Sequence, residues 1–189
     1  AIAGMLFPIP DVSNFAFQPP PAQRIAIAHD AAFAFSYPHL LDAWQGAGAE
    51  LTFFSPLADE APAISDLIYL PGGYPELHAG RLAQNGTFLN ALRNTDAQIY
   101  GECGGYMVLG DALTNADGIT HQMAGLLPLE TSFAQRKLHL GYRDLSAASG
   151  PFHGQWKGHE FHYATTVKAE GTPLFTAQDA EGTTLPPMG

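Results

Sequence analysis

Positive charge is scarce in this chain, and cysteine scarcer still. Lys and Arg total 8 against 18 Asp and Glu, a formal net charge of -10 with histidine neutral. An acidic field of that size repels phosphate backbones, so no nucleic-acid partner is expected. Cys103 is the single cysteine. That excludes an intrachain disulfide and a cysteine-rich metal site, and it suits a reducing, cytoplasmic setting. No run of about 18 apolar residues is present, so no membrane helix is expected. There is also no G-x-x-x-x-G-K-[ST] phosphate loop. The opening Ala1-Ile2-Ala3-Gly4-Met5 lacks the basic start of a secretory signal and an initiator methionine. A processed chain or a fragment is therefore expected.

What is present suits one folded domain. The 189 residues are 46% hydrophobic and 14% charged, enough to bury a core. Residues 1–23, with Pro8, Pro10, Pro19, Pro20 and Pro21, read as a tail or linker from a preceding domain. The domain proper is expected over 24–189. Short apolar runs at Ile25–Ala28, Leu51–Phe54, Leu67–Leu70 and Gln98–Gly101 read as strands. Between them, Leu40, Leu41, Trp44 and Ala47 follow helical spacing, with Ser36 as N-cap and Gly48 as terminator. Phe88, Leu89 and Leu92 mark a second helix ending near Asn94. Alternating strands and helices predict an α/β fold with a mostly parallel central sheet covered on both faces. After about Leu113 the pattern weakens. Thr120–Tyr142 is mixed, and Gly158–Val167 reads as one late strand.

Chemistry concentrates at Gly101-Glu102-Cys103-Gly104-Gly105, a G-x-C-x-G turn that follows a strand and opens a helix. A nucleophile on so tight a turn needs glycines to relieve crowding. The helix N-terminus would favour the thiolate, and the Gly104 amide would face the oxyanion formed on attack. The bland alternative is a glycine turn that merely holds a cysteine. A second glycine turn, Leu70-Pro71-Gly72-Gly73-Tyr74-Pro75, also ends a strand, and in an open parallel sheet both turns line one crevice. Gly73 is thus a candidate second oxyanion donor, unless the turn only terminates its strand. A thiol nucleophile needs a base. Eight histidines are available, and the densest cluster is Gly158-His159-Glu160-Phe161-His162-Tyr163. On a strand, Glu160 and His162 share one face while His159, Phe161 and Tyr163 share the other, which argues against a metal site built from both histidines.

Four motifs taken in order carry a family resemblance: Leu70–Leu77, Gly101–Met107, Leu140-Gly141-Tyr142 and Gly158–Tyr163. From Arg24 onward the chain resembles the class I, triad-type glutamine amidotransferases. It is most similar to glutaminase domains of the cobyrinic or hydrogenobyrinic acid a,c-diamide synthase type, with cobyric acid synthase a close relative. The resemblance implies a flavodoxin-like three-layer fold, Cys103 as nucleophile and His162 as base. It implies a glutaminase that hydrolyses glutamine through a cysteine thioester, with no cofactor in this domain. It also implies a partner synthetase domain, carried on the same full-length chain, that uses Mg-ATP to amidate corrin-ring carboxylates a and c in cobalamin biosynthesis. The last stretch of the domain would then lie beyond Gly189. Where many relatives carry a glutamate two residues after the histidine, this chain has Ala164. Glu160 is the candidate orienting acid in its place; the alternative is that it binds a backbone amide or the substrate. Two other readings remain: a peptidase or deglycase with a cysteine elbow, and a non-catalytic domain of the same fold.

Overall fold

The computed structural model describes residues 18–189. Pro8, Pro10 and the rest of 1–17, most of the expected linker, lie outside the described residues. The first half runs β1 (Arg24–Ala28), α1 (Pro38–Gly46), β2 (Glu50–Phe54), β3 (Leu67–Leu70), α2 (Ala79–Leu82), α3 (Gly86–Arg93), β4 (Gln98–Gly101) and α4 (Gly104–Leu109). The four strands pair in parallel in the order β2-β1-β3-β4. Each of the four lies where its apolar run predicts.

The sheet is buried on both faces, and strand alternation sorts its side chains. Ile25, Ile27, Leu67 and Tyr69 point one way and pack with Leu41 and Trp44 of α1. Ala26, Ala28, Ile68 and Leu70 point the other way and pack with Phe88, Leu89 and Leu92 of α3 and Val108 and Leu109 of α4. Two apolar faces require two covering layers, which makes the arrangement a flavodoxin-like three-layer α/β sandwich. Each fully buried large side chain contributes roughly 1.5–3 kcal/mol.

The first helix differs from expectation at its start. Tyr37, not Ser36, is the N-cap, and it makes no side-chain capping bond. Pro38 at the first helical position forces its predecessor into extended backbone, so the cap falls on residue 37. The helix ends as expected: Gly48 takes φ +95, its amide donates to Gln45 and the Ala49 amide donates to Trp44.

The second half is built of strands. These are β5 (Gly110–Thr114), β6 (Thr120–Gln122), β7 (Leu127–Ser132), β8 (His139–Ala147), β9 (Gly154–His162), β10 (Thr165–Ala169), β11 (Phe175–Asp179) and β12 (Thr184–Met188). They form two further sheets, ordered β10-β7-β5-β6 and β12-β11-β8-β9. The mixed stretch Thr120–Tyr142 thus resolves into β6, β7 and the start of β8. The single late strand expected over Gly158–Val167 is two strands in different sheets. The break falls at Tyr163-Ala164, where Ala164 turns into the main core at 2% exposure. Strand-forming residues on both sides of the break concealed it.

Candidate active site

The Gly101–Gly105 turn is strained where its chemistry sits. Cys103 has φ 50 and ψ -112, one of two non-glycine residues with positive φ among the described residues. Such a conformation persists only when its surroundings enforce it. Here the enforcement is steric. A Cβ on Gly105 would overlap the Leu70 carbonyl, and one on Gly101 would lie 2.7 Å from the Gly105 carbonyl carbon. The strand end of β3 and the turn after β4 are in backbone contact, so neither glycine has room for a side chain.

The second turn closes over the first. A Cβ on Gly73 would strike the Ala32 carbonyl, and one on Gly72 would lie 3.2 Å from the Cys103 Cβ. At Gly104 the added atom would meet the Pro75 ring at 2.6 Å and the Gly73 nitrogen at 3.3 Å. The backbones of Gly104 and Gly73 therefore lie side by side next to Cys103, and both amides act to lower the pKa of its thiol. Two backbone donors converging on one nucleophile is the form of an oxyanion site.

The thiol is reachable from solvent. Burial of the atoms packed around it pushes its pKa up nonetheless, the two amides oppose that shift, and the carboxylates of Glu76 and Glu102 add to it. Desolvation thus outweighs the Gly73 and Gly104 amides in the balance on this thiol. Glu102 itself is raised by burial, with Tyr69 pulling it back. Tyr69 and Tyr100 are both raised, first by burial and then by the Glu102 charge. Glu76 is also raised by burial, against its own backbone and the charge of Arg136.

His162 ends β9 and Glu160 lies two residues before it on the same face. Glu160 Oε1 is 2.9 Å from His162 Nε2, and the Ala164 carbonyl oxygen is 3.0 Å from Nδ1. Both ring nitrogens face acceptors, so both bonds form together only when both nitrogens carry hydrogen. Burial would raise the Glu160 carboxyl, but hydrogen bonds from Arg143 and His162 outweigh it and hold the group below the ordinary glutamate range. His159 is exposed on the opposite face of the strand. The structure instead sets the His139 ring against His162, 4.7 Å between centroids and 11° from parallel. Sequence reasoning missed His139 and Arg143; the signal was the adjacent Leu140-Gly141-Tyr142 motif, whose strand pairs with β9. His139, Glu160 and His162 could be read as a three-ligand metal group. Near-parallel rings, however, direct their lone pairs along separate planes rather than at one point, and Glu160 Oε2 is already held by Arg143. The trio is a hydrogen-bonding and stacking network.

The structure thus assembles two groups. One is Cys103 with Gly73 and Gly104; the other is His162 with Glu160. Among the described residues no hydrogen bond or ion pair joins the two groups.

Comparisons with known proteins bear on the fold and the family. A solved glutamine amidotransferase superposes with a TM-score of 0.54 over 80% of this chain and 79% of its own, at 12% identity, which bears on fold alone. The hydrogenobyrinate a,c-diamide synthase of Brucella abortus biovar 1 is 55% identical over 184 residues, covering 94% of this chain and 42% of the relative. Its counterpart in Rhizobium meliloti is 56% identical over 88% of this chain and 40% of the relative. In Rhodobacter capsulatus the figures are 52%, 90% and 41%. The chain therefore spans about two-fifths of the length of the curated relatives it matches. The pattern of a CobB/CobQ-like glutamine amidotransferase domain runs through residues 24–186, from the first strand of the parallel sheet into the last strand of the third, and on that match this chain belongs to the CobB/CobQ-like glutamine amidotransferase domain family.

Proposed function

We propose that Cys103 is the nucleophile of a glutaminase and that the ammonia it releases amidates the a and c carboxylates of a corrin ring. The observation that carries this reading is the close packing of the Gly72-Gly73 turn and Gly104 around a cysteine held at positive φ. The acceptor is taken from the relatives, which are named hydrogenobyrinate a,c-diamide synthases.

The chemistry follows from the groups present. His162 takes the thiol proton, and the sulfur attacks the side-chain amide carbon of glutamine. A carbon–sulfur bond forms, and the carbonyl oxygen gains the electron pair as an oxyanion facing Gly73 and Gly104. As the carbonyl reforms, the carbon–nitrogen bond breaks and the imidazolium protonates the departing nitrogen, giving ammonia and a γ-glutamyl thioester. Water then cleaves the thioester to glutamate and restores the thiol. Glu160 on Nε2 is the group proposed to hold the imidazolium, and the Nδ1 bond to the Ala164 carbonyl opens so that this nitrogen can exchange the proton with the sulfur and the leaving nitrogen.

Ammonia made without an acceptor wastes glutamine. The relatives are more than twice as long as this chain, which supports a synthetase domain that uses Mg-ATP to activate the carboxylate. Seating the nucleophile and the base on separate frameworks supports coupling, because docking of such a partner can order one against the other. Two tests apply. A glutamine-like diazo-ketone should add its mass to Cys103, and an active preparation with no adduct there rejects the thioester. Addition of ATP, corrin substrate and synthetase should raise glutamine turnover, and equal turnover without them rejects the coupling.

A further inference from the structure

We propose that Arg143 is a positioning residue for this reaction, acting through Glu160 on His162. The proposal rests on the reading of His162 as the base.

Strand pairing explains how an arginine comes to do this. In the β8–β9 register Gly141 lies directly opposite Glu160, and His139 directly opposite His162. Gly141 has no side chain, so the strand leaves an empty place beside the Glu160 carboxylate. Arg143, two residues along on the same face, folds back into that place. A Cβ on Gly141 would collide with Arg143 Nη1 and lie 3.0 Å from its Cζ. The guanidinium is then fixed at three points. Nε and Nη2 donate to Glu160 Oε2 at 3.1 and 2.6 Å, and Nη1 donates to the Tyr142 carbonyl at 2.9 Å.

Both Arg143 bonds to Glu160 end on Oε2. That leaves Oε1 for His162, and one carboxylate cannot rotate away from the imidazole without breaking a charge-assisted fork. The Arg143 and Glu160 side chains are 16% and 24% exposed, so water competes weakly for these bonds. A glutamate alone on a strand face would be free to turn to solvent; the arginine removes that freedom. A neighbouring lysine could supply charge but not the planar fork.

The other charged groups around the network are accounted for. His139 on β8 stacks on His162. Lys157 on β9 is engaged by Asp144 of β8. Asp179 on β11 lies opposite Arg143 in register, but its Oδ1 accepts the amides of Glu181 and Thr183. Arg143 is thus the cation committed to Glu160.

The test uses the full-length chain that carries this domain. Arg143→Gln should lower the kcat of glutamine hydrolysis by about 10- to 100-fold, with KM for glutamine little changed, the penalty expected of a misplaced base. The acid limb of its pH–rate profile should move toward neutral pH, because Glu160 loses the cation that keeps it ionised. Arg143→Lys should restore the acid limb and only part of the rate. Gly141→Ala should lower kcat while retaining the arginine, because the added methyl displaces the guanidinium. Ammonium-dependent amidation by the same preparations reports that they are folded. If Arg143→Gln does not fold, the lysine and alanine variants decide. Wild-type kcat and pH profile in these variants, alongside inactive Cys103→Ala and His162→Ala, would overturn the proposal and leave the glutaminase reading standing. Full activity in His162→Ala would overturn the reading itself.

Discussion

The two halves of this molecule hold their functional groups by different physics. Around the parallel sheet, position is set by burial: Ile25, Ile27, Leu67, Ile68, Tyr69 and Leu70 are all at or below 1% exposure, and backbone packs on backbone at Gly105 and Gly73. In the β12-β11-β8-β9 sheet the buried apolar residues are Ala147 and Ala177, and Leu140, Tyr142 and Phe161 are exposed. There the arrangement is set by polar bonds instead: Arg143 to Glu160, Glu160 to His162, His162 to Ala164. A close-packed core is stiff and intolerant of added volume, whereas a part-exposed polar network depends on charge and can rearrange. Cys103, the proposed nucleophile, sits on the first kind of support, and His162, the proposed base, on the second. Under the proposed coupling that division has a use: the attacking group is held in place, and the group that activates it can be adjusted by a partner.

The comparison can be broken most severely at the sulfur. Cys103→Ala should lower glutamine-dependent activity by at least about 10³-fold while ammonium-dependent amidation persists, measured on one preparation with either nitrogen source. Glycine substitutions should act on stability. Gly105→Ala and Gly73→Ala each drive a methyl into a carbonyl and should cost about 2–3 kcal/mol in denaturant unfolding, whereas Gly118→Ala has open space around it and meets only the strain of its φ of +78. A small loss at Gly105 would show the first half to be softer than its packing indicates.

In the second half the effects should be kinetic. Glu160→Gln should slow thioester formation by about 10- to 100-fold with glutamine affinity nearly unchanged, read by single-turnover labelling. The same residue carries a pH signature. Its folded-state pKa is depressed, so its contribution to stability is complete above the range of an unfolded glutamate and is lost as pH falls through the lowered value. Thermal unfolding of wild type and Glu160→Gln should therefore converge in acid; a constant gap would remove the ion pair as the cause. Cys103 runs the other way. With its pKa raised by burial, alkylation of the free domain by iodoacetamide at neutral pH should be slower than that of an exposed peptide cysteine and should climb above the usual thiol range. The smallest effect belongs to Asp144→Asn, which breaks an exposed pair with Lys157 and should leave thermal stability and turnover unaltered.

The parallel sheet was legible because its signals are local. Four short apolar runs each became a strand, and Gly48 ended its helix through a backbone conformation that glycine adopts freely. The elbow was equally local: strand, turn and helix are contiguous, and glycines at 101, 104 and 105 state the crowding in advance. The pairing of Glu160 with His162 on one face followed from strand periodicity alone. The second half resisted for a related reason. At Tyr163-Ala164 β-forming residues stand on both sides of the break, so periodicity ran through it without registering that the chain changes sheets there.

By itself, then, the sequence determined the parallel α/β core, the turn that presents Cys103, and the face shared by Glu160 and His162, because each rests on contacts between near neighbours in the chain. The tertiary structure alone decided three other matters. It brought the Gly73 amide beside that of Gly104, it set desolvation above those amides in the balance on the Cys103 thiol, and it laid Gly141 opposite Glu160 so that Arg143 folds into the space. Those depend on register and burial between segments distant in sequence, and neither quantity is encoded in any one of the segments that meet.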